Sequence, residues 1–274
     1  MRAARDRLNS FTGVPVQIED VTVHGSSGPP VLLLPGGAES CNGFFPGLVE
    51  GLVTDPGCRV IVQDRPGTGT STTPGTLADA SAYLNALVNR LDLGPVVVVG
   101  QSLGGAVALL LARDYPASVA GLVLIDPTPI NDPKSCAQIE RMTRTLASAA
   151  TLPVLRTLVA AALRSTIARS TRKQDLRPDC AAVFERTAHL DLPKLNRAVH
   201  GLAEAAFDES TLPPVPTTLI TADRKPTTAI AKAHARLATA LNAKVEAWPH
   251  ADHNAHLTHP EQTLTAIRTH ITTT

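Results

Sequence analysis

Short, uninterrupted apolar runs alternate with stretches of helical periodicity along most of the chain. Val31–Leu34, Val60–Val62, Val96–Val99, Leu122–Ile125 and Thr217–Ile220 are mostly β-branched or Leu-rich and are bounded by Pro or Gly. A strand wet on one face alternates apolar and polar positions. A run without that alternation suits a strand covered on both faces, as in a parallel sheet. Between the runs, Thr76–Leu91, Leu103–Asp114 and Thr227–Leu241 read as helices, Ala243–Trp248 as a further strand and Pro260–His270 as a last helix. Strand and helix in repetition predict a doubly wound, mostly parallel α/β sheet. Near the start, Val14–Ile18 and Val21–Val23 predict a hairpin.

The alternation lapses between residues 129 and 212, where helical patterns continue without a strand-like run. Thr151 followed by Pro153 predicts a helix start. Leu155, Leu158, Val159, Ala162 and Leu163 then follow the i, i+3, i+4, i+7, i+8 spacing of one helix face. Pro213, Pro214 and Pro216 mark the return to the sheet. The expected organisation is a sheet domain in two parts, residues 1–128 and 213–274, with a helical insertion at 129–212.

Composition narrows the function classes. The chain has 274 residues, 43% hydrophobic and 18% charged, enough apolar material for a substantial core. A net charge of +1 and 3% aromatic residues remove the usual arguments for a nucleic-acid partner. The first residues carry charges and lack the apolar run of a signal peptide. No stretch approaches the roughly 20 apolar residues of a membrane span. Cys41, Cys58, Cys136 and Cys180 are widely spaced and form no C-x-x-C pair, which argues against structural zinc or a disulfide scaffold. A reducing cytoplasm is the expected setting.

The chemistry centres on Gly100-Gln101-Ser102-Leu103-Gly104, which follows an apolar strand and opens a helix. This is G-x-S-x-G in the context it requires: the sharp turn pushes the hydroxyl over the carboxyl edge of the sheet, at a helix N-terminus that favours developing negative charge. Ser102 is the predicted nucleophile. It needs a base, and the base needs an orienting acid, in the chain order Ser, acid, His. Asp223 ends a late strand and is the predicted acid, with Asp126 at the end of Leu122–Ile125 as its competitor. Four C-terminal histidines, His250, His253, His256 and His259, are candidate bases, and spacing does not choose among them. Clustered histidines also suit zinc, but a three-residue step drifts around a helix, and Pro249 and Pro260 suggest a loop.

Together these blocks resemble the α/β-hydrolase-fold serine hydrolases, from about Val31 to Ile271 apart from the insertion. Val31-Leu32-Leu33-Leu34-Pro35-Gly36-Gly37 resembles the family's strand and oxyanion loop. Gln63-Asp64-Arg65-Pro66-Gly67-Thr68-Gly69-Thr70-Ser71 resembles its D-x-x-G-x-G-x-S turn, and lacks the Lys of a phosphate loop. The elbow at Ser102 is the third block. Ala251-Asp252-His253-Asn254-Ala255-His256-Leu257-Thr258-His259-Pro260-Glu261 is similar to the family's histidine tail, and that likeness places His253 as the base. The resemblance also implies backbone N–H donors at Gly37 and Leu103 for an oxyanion, a cap at the insertion, and no cofactor. Pro35 stands where the family usually has His, and Gln101 where His is commoner in the elbow.

Phe44 and Phe45, just past the oxyanion loop, are candidate substrate-binding residues, and Cys41 reads as a small buried thiol. Between Arg141 and Gln174 the insertion carries seven basic residues (Arg141, Arg144, Arg156, Arg164, Arg169, Arg172, Lys173) and no acidic one. They suit either a solvated basic face or attraction of an anionic substrate tail. The resulting expectation is a cofactor-free, metal-free serine hydrolase acting on a small-molecule carboxylic ester or thioester. The rivals are a C–C bond hydrolase, lactonase or perhydrolase with the same triad, a non-catalytic binder on the same fold, and a histidine-metal hydrolase.

Overall fold

The structure is a computed structural model. It describes residues 21–152 and 176–274 except 188 and 190, together with 157, 158, 161, 162 and 165. Seven strands form one sheet: β1 (Thr22–His24), β2 (Pro30–Leu34), β3 (Arg59–Val62), β4 (Val96–Gln101), β5 (Val119–Ile125), β6 (Thr217–Thr221) and β7 (Lys244–Ala247). Their order is β1-β3-β2-β4-β5-β6-β7, with β1 antiparallel to β3 and every other pairing parallel.

The unbroken apolar runs have a physical reason in this arrangement. Side chains alternate between the two faces of a strand, and both faces here are covered. Val96 and Val98 of β4, Leu32 and Leu34 of β2, and Leu122 and Leu124 of β5 enter one core; Val97, Val99, Val31, Leu33, Val123 and Ile125 enter the other. Each such side chain, fully buried, contributes about 1.5–3 kcal/mol of transfer free energy.

Helices cover the two faces. α1 (Leu48–Thr54), which the apolar pattern leaves unpredicted, and the C-terminal helix both supply the second core through Leu48, Leu52, Ala266, Ile267 and Ile271. The first core is covered by α2 (Leu77–Leu91) and α3 (Leu103–Asp114). Thr76 is the N-cap of α2, and its backbone N–H donates to Asp79 Oδ2 at 3.0 Å in a capping box. α3 is apolar on all sides, as suits a helix with no wet face.

Between β5 and β6 the described residues hold α4 (Pro133–Ala149), α5 (Pro178–Thr187), α6 (Leu192–Val199) and the single turn α7 (Leu202–Ala205), and no strand. The α4 side chain Glu140 accepts from the N–H groups of Gly201, Leu202 and Ala203 at 2.6–3.3 Å, which satisfies the start of α7. After β6 come α8 (Ala229–Ala240), β7, α9 (Ala255–Thr258) and α10 (Pro260–Thr273).

Two expectations end differently. The segment near Val21–Val23 pairs antiparallel with β3, Thr22 opposite Val62; Val14–Ile18, its expected hairpin partner, lies outside the described residues. So do Pro153 of the expected helix start, Leu155, Val159 and Leu163 of the expected amphipathic stripe, and five of the seven basic positions. Of the remaining two, Arg141 and Arg144 are exposed on α4. Among the described residues no helix is long and apolar enough to cross a membrane.

Candidate active site

The turn after β4 is built by close backbone approach. A Cβ at Gly104 would lie 2.1 Å from the Leu34 carbonyl oxygen, and one at Gly100 would lie 2.6 Å from that of Gly104. Only glycine lets α3 start against the ends of β2 and β4. Between them Ser102 takes φ 51°, ψ −116°, a conformation that a residue with a Cβ occupies only at a cost of order 1–3 kcal/mol. Its N–H donates to Ile125 O at 3.0 Å, which ties the turn to β5.

A hydrogen-bonded chain runs from the hydroxyl. His253 Nε2 lies 2.9 Å from Ser102 Oγ, and His253 Nδ1 lies 2.6 Å from Asp126 Oδ2. This brings together Ser102 and His253 as expected, but the carboxylate that meets the imidazole belongs to Asp126 and not to Asp223. The sheet register is the reason. Gln101 pairs with Ile125, so Ser102 and Asp126 leave adjacent strand ends side by side. Asp223 lies one strand further on, two residues past the end of β6. Its carboxylate accepts from the His250 N–H at 2.9 Å, and its own N–H donates to Ala251 O at 2.7 Å, so Asp223 clasps the loop that carries His253.

Asp126 is 1% exposed. Burial by itself pushes its carboxyl up. The hydrogen bond and charge of His253, the Ala222 N–H at 3.0 Å and the Arg224 guanidinium together outweigh burial and hold it below the usual carboxylate range.

Gln101 has a structural role that its identity as a commonplace polar residue does not signal. Its buried side chain donates from Nε2 to the His253 carbonyl at 2.9 Å, binding the elbow to the histidine loop. Its Oε1 would lie 2.0 Å from a Cβ at Gly36, so the same amide packs on the loop after β2.

That loop is held from below by the Gly-rich turn. Asp64 accepts from Ser40 Oγ at 2.9 Å, Cys41 N at 2.6 Å, and Thr70 N and Oγ1 at 2.7 and 2.9 Å. Arg65, 3% exposed, donates to the Gly37 carbonyl at 3.1 Å, and burial pulls its guanidinium down to about 10. Gly37 takes φ +55°. Leu103 is the first residue of α3, so its N–H has no acceptor within the helix. The turn is thus a girdle for the loop that carries Gly37.

The other candidates separate. Phe44 and Phe45 are 3% and 4% exposed and pack on the His256 ring with centroids 4.8 and 5.3 Å away, so these expected substrate-binding residues are core. The chain turns inward there beneath α9 and α10, and the rings fill the second core. His256 is itself buried, while His259 Nε2 donates to Pro249 O at 3.1 Å and its ring stacks on Trp248. Among the described residues no three or more His, Cys, Asp or Glu are grouped as metal ligands would be. Cys41 is buried, its thiol pushed up to about 12 by burial, and its Sγ–H donates to Leu33 O at 3.4 Å.

The segment between β5 and β6 is fastened near the site. Lys194 of α6 donates to the Gly69 carbonyl, and Arg186 of α5 donates to Gly43 O at 2.7 Å. A Cβ on Gly37 would meet Leu195 Cδ1 at 3.3 Å, so α6 lies directly over that loop.

Comparison with known proteins gives the wider setting. Lipase LipV of Mycobacterium tuberculosis is 39% identical over 106 residues, 38% of this chain and 40% of that protein. Proline iminopeptidase of Lactiplantibacillus plantarum is 32% identical over 120 residues, 42% of each chain. The chain therefore spans about two-fifths of the length of these curated relatives. Among solved structures, a thermophilic esterase from Thermogutta terrifontis superposes with TM-score 0.75 at 24% identity, over 97% of both chains. MenH from S. aureus superposes with TM-score 0.75 at 14% identity, over 93% of this chain and 99% of that one. At such identities the likeness speaks for the fold. The family model for the alpha/beta hydrolase fold matches residues 29–260, a stretch that holds all of the strands but β1 and the whole Ser102 turn, and the chain belongs to that family.

Proposed function

We propose that the protein is a serine hydrolase that cleaves a carboxylic ester or thioester through an acyl-enzyme. One observation carries this: Ser102, His253 and Asp126 form a continuous hydrogen-bonded chain at the carboxyl edge of the sheet. His253 Nε2 takes the hydroxyl proton as Ser102 Oγ attacks the carbonyl carbon, and Asp126 stabilises the imidazolium through Nδ1–H. The Gly37 and Leu103 N–H groups receive the oxyanion of the tetrahedral intermediate. His253 then gives its proton to the departing alcohol or thiol. In the second half it takes a proton from water, whose oxygen attacks the acyl carbon, and returns that proton to Ser102 Oγ as the acyl–oxygen bond breaks and the acid leaves. Residues 129–212 act as a cap, anchored by the Lys194 and Arg186 contacts, and set which acyl groups enter.

The test is hydrolysis of p-nitrophenyl esters from C2 to C12, with Ser102→Ala as the control. Turnover by the wild type that vanishes in the variant is expected, and the chain-length optimum sizes the pocket under the cap. Hydrolysis that survives in Ser102→Ala would overturn the reading.

The elbow amide gives a second prediction. Gln101→Met keeps the shape but removes the donor to the His253 carbonyl. Leaving that carbonyl unpaired costs about 1 kcal/mol of stability. As the loop carrying the base loosens, kcat/KM is expected to fall about tenfold, the equivalent of about 1.4 kcal/mol in the barrier. Thermal denaturation and ester kinetics on the purified variant check both, and unchanged kinetics would remove Gln101 from the site.

A further inference from the structure

We propose that Arg224 is a positioning residue for the reaction: its guanidinium shares Oδ2 of Asp126 with His253 and keeps the acid ionised and turned toward the imidazole. The inference rests on the serine-hydrolase reading above. Oδ1 of Asp126 accepts from the Ala222 N–H at 3.0 Å, while His253 Nδ1 and Arg224 Nη2 converge on Oδ2. The ion pair is enclosed, with side-chain exposures of 18% for Arg224 and 2% for Asp126.

Among the described residues, three charged or titratable groups face this carboxylate. From the loop after β7 comes His253, from the end of β6 Arg224, and from α8 His234. His234 Nδ1 lies 3.8 Å from Oδ1, but its Nε2–H donates to Pro127 O at 2.8 Å and Nδ1 faces Thr221 Oγ1 at 3.2 Å. Both nitrogens are used by neutral partners, and burial holds this imidazole below its usual range, so it is neutral. When His253 is neutral too, Arg224 is the one cation among the described residues that balances Asp126.

A buried carboxylate with neutral donors alone takes up a proton at higher pH than one beside a cation. The guanidinium has no second employment: its Nη1 is buried without a partner among the described residues. Asp223 clasps the histidine loop, and the next residue in the chain, Arg224, supplies the charge beside Asp126.

The measurement is kcat/KM against pH for the wild type, Arg224→Gln and Arg224→Lys on the best p-nitrophenyl ester, with Ser102→Ala alongside. Loss of the cation lets the Asp126–His253 pair bind a proton more readily. The acid limb of Arg224→Gln is therefore expected about one pH unit higher, a loss of about tenfold on the limb, with the alkaline plateau within about threefold of the wild type. Arg224→Lys is expected to restore the limb. Arg224→Met, which keeps the apolar stem, gives the same reading if the Gln variant does not fold. A limb that does not move, or an even loss at all pH values that Lys does not rescue, overturns the inference. Activity in Ser102→Ala would instead overturn the underlying hydrolase reading, so the two failures are distinct.

Discussion

Asp126→Asn is expected to lower kcat/KM toward esters by about 10³–10⁴, because an amide no longer selects the imidazole tautomer that presents its lone pair to Ser102 and no longer stabilises the imidazolium. Asp223→Asn is expected to stay within about tenfold of the wild type. Among the described residues the Asp223 carboxylate accepts one hydrogen bond, from the His250 N–H, and the Asn carbonyl oxygen can accept the same bond. The comparison is made by steady-state kinetics below the melting temperature of both variants. This matters because Asp126→Asn leaves the enclosed Arg224 charge unpaired and costs stability as well. An equal loss in the two variants, or a larger one in Asp223→Asn, would return the acid to the end of β6.

The second large effect concerns stability in acid. His256 is buried with its ring stacked on Phe44, and burial with the nearby His253 holds it down to about 3. His270 fills the space that Gly121 leaves by having no side chain, its Nδ1 lies 3.0 Å from Thr218 Oγ1, and burial holds it down to about 4. The unfolded chain protonates these rings near pH 6.5 and the folded chain resists, so the unfolded state binds more protons as pH falls. Stability is therefore full above about pH 6.5 and is lost progressively down to about pH 4.

For His256 alone the loss by pH 4 is on the order of 3 kcal/mol, against a total of roughly 5–15 for a typical domain. Asp126, held below its ordinary value, adds a further loss below about pH 4, where the unfolded chain takes up the carboxyl proton and the folded chain still resists it. Chemical denaturation at pH 7.5, 5.5 and 4.5 measures the slope. His256→Phe, which keeps a ring among Phe44 and Phe45, is expected to flatten it. A variant curve parallel to the wild type would mean that the ring is not buried neutral.

Much of this molecule is legible in one dimension because its strongest signals are local or periodic. A run such as Val96–Val99 needs no partner to announce a strand buried on both faces, and β4 is buried along its whole length. The Ser102 turn is equally local: Gly100 and Gly104 stand where any Cβ would strike backbone a few residues or one strand away. The short helix α1 escapes notice because seven residues make too few turns for a period to emerge. Phe44 and Phe45 mislead for another reason: an aromatic pair beside a catalytic loop and one that fills a core have the same composition.

By itself the chain determines the order of strands and helices, the elbow that carries Ser102, and the set of carboxylates and histidines available to it. Which of them meet is decided by contacts distant in sequence. Asp126 is 127 residues from His253, and it reaches the imidazole ahead of Asp223 because β4 and β5 lie side by side in register. Arg224 on that carboxylate and Gln101 on the histidine loop span 98 and 152 residues and leave no pattern along the chain. Periodicity reports which face a residue presents, whereas register between parallel strands is set by how whole layers pack, and that is settled only when the sheet assembles.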